Sequence, residues 1–230
     1  DAAPVTIGAA IELIPSQVDH PFFKQFEHHY SSDHDRILKQ VDADLALVDK
    51  CLETLAAQRK TGDGKLDGKK NVADLVGMGS FLDRYVRVVA PTPVTGDDIT
   101  LVGDLHGCYS CLKAAVMQTD FFARVEQYRR DPTSLPRPLF VLLGDYIDRG
   151  IFSLNGVLRS VMQLLVTAPE HVVVLRGNHE YYVEHKGQIY GGVRPAEAIN
   201  TLKPYLSIDV FRKYSTLFEQ LPNVCLFDRF

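Results

Sequence analysis

The chain has 230 residues, 46% of them hydrophobic and 23% charged, with a formal net charge of −4. That is an ordinary soluble globular composition, long enough for one sizeable core with an appendage, and its charge argues against nucleic acid or an anionic membrane as the main partner. No apolar run approaches the ~18 residues of a membrane-spanning helix, and four cysteines make no disulfide framework, which points to a reducing, cytoplasmic setting.

Residues 1–30 contain Pro4, Pro15 and Pro21 without a clear period, which predicts loop with short helical pieces. Leu38, Val41, Leu45, Val48, Leu52 and Leu55 then recur in steps of three and four, the mark of one helix face. Ser32 or Asp33 is placed to cap that helix. Asp42, Asp44 and Asp49 flank the stripe and would repel in a symmetric parallel pair. Packing on the chain's own core is therefore expected, not a coiled-coil seam. His28, His29, Asp33, His34 and Asp35 cluster at the helix entry and read as a solvated approach, not a metal site. Residues 61–70 (TGDGKLDGKK) break the pattern, and Lys65 stands where a calcium loop needs an oxygen ligand, so a flexible turn is expected. A second helix is expected over residues 71–86.

From residue 98 the pattern alternates between strand and helix. Residues 99–102 read as a buried strand, and residues 110–118 as a helix with Leu112, Ala115 and Val116 on one face. Three prolines mark residues 131–138 as loop, before a second strand at 139–143. Ser153 is placed to cap the next helix, with Leu154, Val157, Leu158, Val161, Leu164 and Leu165 inward. Residues 171–175 form a third strand, residues 210–221 a last helix stopped by Pro222, and residues 224–227 a final strand. This order predicts an α/β domain with parallel central strands.

Each of the three strands runs into a glycine followed by a short polar residue: Gly103 and Asp104, Gly144 and Asp145, Gly177 and Asn178. Ligands of α/β sheets gather at the carboxyl ends of the strands, so adjacent parallel strands would bring Asp104, Asp145 and Asn178 to one edge. A glycine before each lets the chain turn sharply. His106 and His179 join the group. Clustered carboxylates repel without a cation, and this mixed oxygen and nitrogen donor set suits Mn, Fe or Zn better than Ca or Mg.

The motifs GDLHG at 103–107, GDYIDRG at 144–150 and LRGNHE at 175–180 resemble the three signatures of the phosphoprotein phosphatases. These are the serine/threonine-specific branch of the calcineurin-like metallophosphoesterases. The resemblance covers residues 98–230. Tyr146 and the Leu175–Arg176 pair resemble the eukaryotic-type protein phosphatases more than the diadenosine-tetraphosphate hydrolases. It implies an α/β metallophosphoesterase fold, a β-sandwich flanked by helices (αββα), incomplete at the C-terminus. Residues 1–97 would then form an N-terminal helical region and residues 98–230 the catalytic domain. The resemblance also implies two divalent metal ions, with Asp104 and His106 on the first, Asp145 bridging, and Asn178 on the second. His179 would be the general acid, Asp148 its orienting partner, and Arg149 the clamp on the phosphate, with Asn178 also facing the substrate. A hydroxide shared by two metals about 3.5–4 Å apart would attack phosphorus in line. Arg suits that clamp because its planar fork meets two phosphate oxygens at once. Arg176 is expected to pair with a nearby carboxylate and hold its turn.

Two features depart from the family pattern. The family supplies two further histidines to the second metal, one in a His-Gly-Gly motif after the strand that follows Leu221–Pro222. No histidine follows His185, so the second metal's ligand set is half present, and weak binding there with low activity is expected. Cys108 and Cys111 form a C-x-x-C at a helix start, where thiols are acidified. No second C-x-x-C completes a zinc site, so no special role is expected of the pair. The leading expectation is hydrolysis of phosphoserine and phosphothreonine in phosphoprotein substrates, with the N-terminal helices open to a regulatory protein. Two alternatives stand beside it: a nucleotide or small-molecule phosphoesterase, and a non-catalytic phosphatase-like scaffold.

Overall fold

The computed structural model describes residues 15–27, 33–150 and 152–227. Helix α1 (Pro21–Glu27) begins on a proline, which lacks only an N–H that no helix start can satisfy. It buries Phe22, Phe23 and Phe26 in the main core. Helix α2 (His34–Lys60) is capped by Asp33, whose carboxylate accepts from the Asp35 N–H. Ser32, His28 and His29 lie outside the described residues, while His34 stacks on Tyr205 with ring centroids 3.9 Å apart. The buried face of α2 is Asp44, Leu47, Val48, Cys51 and Leu55, and it packs within the chain. Val41, Leu45 and Leu52 sit at its border and Leu38 is exposed. The face has rotated from the expected stripe, because a straight helix drifts about 20° per heptad from a 3.5-residue repeat.

The expected helix over residues 71–86 is absent. A single 3-10 turn, Val72–Leu75, is followed by a hairpin of β1 (Phe81–Asp83) and β2 (Val86–Val89). Gly77 takes a φ of +81°, which ends the turn. The β-branched run Val86, Val88 and Val89 then prefers a strand, and β2 gains a parallel partner in β8 (Val224–Phe227). That pairing is invisible in local periodicity.

Beyond this, β3 (Asp97–Val102), β4 (Arg137–Leu142) and β5 (Val172–Val174) form a parallel sheet in that order. Helices α3 (Tyr109–Gln118) and α4 (Phe121–Arg130) connect β3 to β4; α4 was not read from the sequence. A π-helical segment, Ser153–Leu158, and α5 (Arg159–Thr167) connect β4 to β5. The inward face read for this stretch is buried, but Ser153 is itself buried inside the π segment and makes no cap. A hairpin of β6 (Tyr182–His185) and β7 (Gln188–Gly191), helix α6 (Glu197–Leu202) and helix α7 (Ile208–Gln220) follow. The hairpin and α6 escape the sequence reading.

The parallel sheet separates two apolar layers. Phe140, Leu142, Val172 and Val174 face the helices. Leu139, Val141 and Val173 meet Val89, Cys225 and Phe227 of the β1–β2–β8 sheet. The fold is thus mixed α/β, with two facing sheets and helices against one of them. β3 was expected to be buried, yet Ile99 is 40% and Leu101 59% exposed. It is an edge strand, and the second sheet covers its neighbours. No described helix is long and apolar enough to cross a membrane.

Candidate active site

The carboxyl ends of β3, β4 and β5 meet as parallel pairing requires. The His106 N–H donates to the Asp145 carbonyl at 2.9 Å and the Gly107 N–H to that of Tyr146, so the first two turns are stitched together by backbone. Asp104, His106, Asp145, Asp148 and Arg149 all have positive φ, between 40° and 65°. Such angles are uncommon for non-glycine residues and concentrate at functional sites. The glycines serve differently from the expectation. Only Gly144 of the three strand-end glycines has a positive φ. Gly177 is needed for close approach, since a Cβ there would lie 2.2 Å from the Asp145 Oδ1.

One oxygen or nitrogen each from His106, Asp145 and His179 fall within 4.8 Å of one another. The His106 Nδ1 is 2.8 Å from the Ile147 carbonyl, which makes Nδ1 the protonated nitrogen and leaves Nε2 a bare acceptor. That Nε2 is buried without a hydrogen-bond partner, 3.4 Å from Asp104 Oδ1 and 3.8 Å from Asp145 Oδ2. A buried acceptor facing two carboxylates is the environment a divalent metal satisfies. The Asn178 amide lies against both Asp145 oxygens, its NH₂ donating at 3.1 and 2.9 Å; a cation there would draw its carbonyl oxygen instead. These residues fit a metal. Asp104 is the outlying member, with its side chain 82% exposed.

Around this cluster, His179 Nδ1 is 2.8 Å from Asp148 Oδ2, and the other Asp148 oxygen accepts from the Ala198 N–H at 2.8 Å. Both side chains are buried. Asp148 therefore sets the tautomer of His179 and turns Nε2 toward the cluster. The Arg149 guanidinium reaches to 3.5 Å of that Nε2, and its backbone N–H is held by Glu197 at 3.0 Å.

Glu180 holds the turns together and was missed as anything beyond a motif letter. Its carboxylate accepts from the N–H groups of Asp145 and Tyr146 at 2.8 Å, Gly177 at 3.0 Å and Ile147 at 3.2 Å. Burial raises its pKa, and the hydrogen bonds from Asp145, Tyr146 and Ile147 oppose the rise. Among the described residues, Arg176 pairs with no carboxylate. It donates to the Glu180 carbonyl at 2.8 Å and lies over the Tyr181 ring. Cys108 and Cys111, at the start of α3, are joined in a disulfide. Such bonds are rare in a reducing cytosol, so the pair departs from the free thiols that a reducing setting predicts.

The calcineurin-like phosphoesterase family matches residues 98–227. The chain belongs to that family. A solved structure, a protein serine/threonine phosphatase from Saccharomyces cerevisiae with similarity to human phosphatase PP5, is similar at 16% identity with a TM-score of 0.45. The similarity covers 85% of this chain and 51% of that one, so the chain spans about half its length.

Proposed function

We propose that this chain hydrolyses phosphate monoesters of phosphoserine and phosphothreonine in proteins. The observation that carries the reading is the buried His179–Asp148 pair, with Nε2 turned toward Arg149 and the His106–Asp145 cluster. A serine or threonine alkoxide leaves poorly, and an imidazole poised by a carboxylate can protonate it. Arg149 offers its fork to two phosphate oxygens, and Asn178 flanks it. Residues 98–230 form the proposed catalytic part and residues 1–97 an accessory region.

The proposed metal ligands are Asp104 and His106 for one ion, Asp145 for both, and Asn178 for a second; the donors suit Mn, Fe or Zn. When bound, such ions supply Lewis acidity and water acidified toward neutral pH. The protein holds the phosphate through Arg149, keeps His179 in one tautomer through Asp148, and fixes Asp145 through the Glu180 cradle. Phosphoproteins are the proposed partners. The apolar face of α2 is already buried against the chain, so a regulatory protein would dock on its charged outer face.

Turnover of a phosphoserine peptide and of diadenosine tetraphosphate, each with added Mn²⁺, tests the reading. Preference for the peptide supports it. Preference for the dinucleotide moves the substrate to small phosphoesters, and turnover of neither makes the domain a binding scaffold.

A further inference from the structure

At the amino end of the parallel sheet, opposite the metal-binding turns, a cleft of about 610 Å³ opens between the end of α2, the β1–β2 hairpin, the start of β4 and the loop after α5. Arg87, Arg137, Thr54, Gln58, Thr61 and Ser80 line it. Arg87 shares its face of β2 with Val89, two residues on, so it points between the two sheets, and it is only 9% exposed. Among the described residues its guanidinium has no hydrogen-bond or ion-pair partner.

The other charges around it are accounted for. Arg137 donates to Asp97 at 2.8 Å and to the Ala90 carbonyl at 2.7 Å. Glu170, on the rim, is exposed and lies 3.6 Å from Arg129. Cys225, opposite Arg87 on β8, has its thiol pKa pushed up to about 12 by burial, so it is neutral near pH 7. Burial and the neighbouring Arg137 both lower the Arg87 pKa, yet a guanidinium keeps its charge at any ordinary pH. The guanidinium borders the cleft, so its N–H groups face that space and not a protein acceptor. A guanidinium has five N–H donors and no acceptor, and its natural complement is a two-oxygen anion. The Thr54 and Thr61 hydroxyls donate to the Lys50 and Gln58 carbonyls and so can only accept from a ligand, while Ser80, which accepts from the Ala90 N–H, keeps its O–H to donate.

We propose that this cleft binds an oxyanion through Arg87: the phosphate group of a small hydroxyl-bearing molecule, or inorganic phosphate itself. The site is independent of the metal-binding turns.

Calorimetric titration of the Arg149→Ala protein with inorganic phosphate and with glycerol 3-phosphate tests this, because that background removes the catalytic phosphate clamp. One binding event is expected, weakened at least tenfold by adding Arg87→Met. Arg87→Lys, which keeps the charge and loses the fork, should fall between. Tighter binding of glycerol 3-phosphate identifies a phosphorylated molecule as the ligand, and equal binding identifies phosphate. In anion-free buffer, Arg87→Met should melt no lower than its parent, because it removes an uncompensated charge. Binding that ignores both Arg87 variants, no binding at all, or a clear fall in Tm without anions would overturn the proposal.

Discussion

The two ends of the parallel sheet are electrostatic opposites. At the carboxyl end, Asp104, Asp145 and the bare His106 Nε2 converge as acceptors without enough donors. At the amino end, Arg87 presents donors without an acceptor. A third place shows what the chain does when it supplies both partners: between α2 and α5, Arg159 makes two parallel hydrogen bonds to Asp44 at 2.7 and 2.8 Å in full burial. Charge left unbalanced by the chain itself marks where something from outside belongs, a cation at one end and an anion at the other.

The largest effect should come from the carboxyl end. Asp145→Asn should lose bound metal, measured by elemental analysis, and lower turnover by at least about 10³-fold; Asp104→Asn, on the exposed side, should lose less metal. Equal loss would contradict the central place of Asp145. His179→Asn should keep its metal while kcat falls about 10²–10⁴-fold, the usual worth of a general acid. Asp148→Asn should follow it at about 10–100-fold, the typical cost of losing an orienting partner.

The comparison of arginines has a stability test. Asp44→Asn would remove the negative charge that faces Arg159 in burial, and chemical denaturation should show a loss of about 3–5 kcal/mol. If Asp44→Asn were as mild as Arg87→Met, partnered and unpartnered arginines would be equivalent and the contrast would fail. The smallest effect is a pH slope at the amino end. Burial lowers the His171 pKa below its usual value. The unfolded chain then takes up a proton that the folded chain resists, so this group costs stability as pH falls below about 6.5. His171→Gln should flatten the denaturation midpoint against pH in that range.

Local pattern carried a good part of this molecule. The three apolar runs followed by Gly and a polar residue lie in a parallel sheet at adjacent positions, because a strand end and its turn are decided within a few residues. The same locality explains the failures. Residues 71–86 read as helix because the parallel partner of β2 lies more than 130 residues further along. β3 read as buried because its apolar side chains say nothing about which neighbours the second sheet covers.

The site divides in the same way. The turns that carry Asp104, His106, Asp145, Asn178 and His179 were legible from residue type and spacing. The roles of Glu180 and Glu197 were not, since each acts on backbone N–H groups 33 to 48 residues away. The sequence by itself determined which donors the chain offers and the order of the turns that bear them. Only the tertiary structure decided which charges find partners. Asp44, read only as an acidic flank that would repel a second helix, became the buried partner of Arg159, while Arg87, just past the expected helix, came to lie between two sheets. Pairing depends on distance in space, and that distance is set by how the sheets and helices pack.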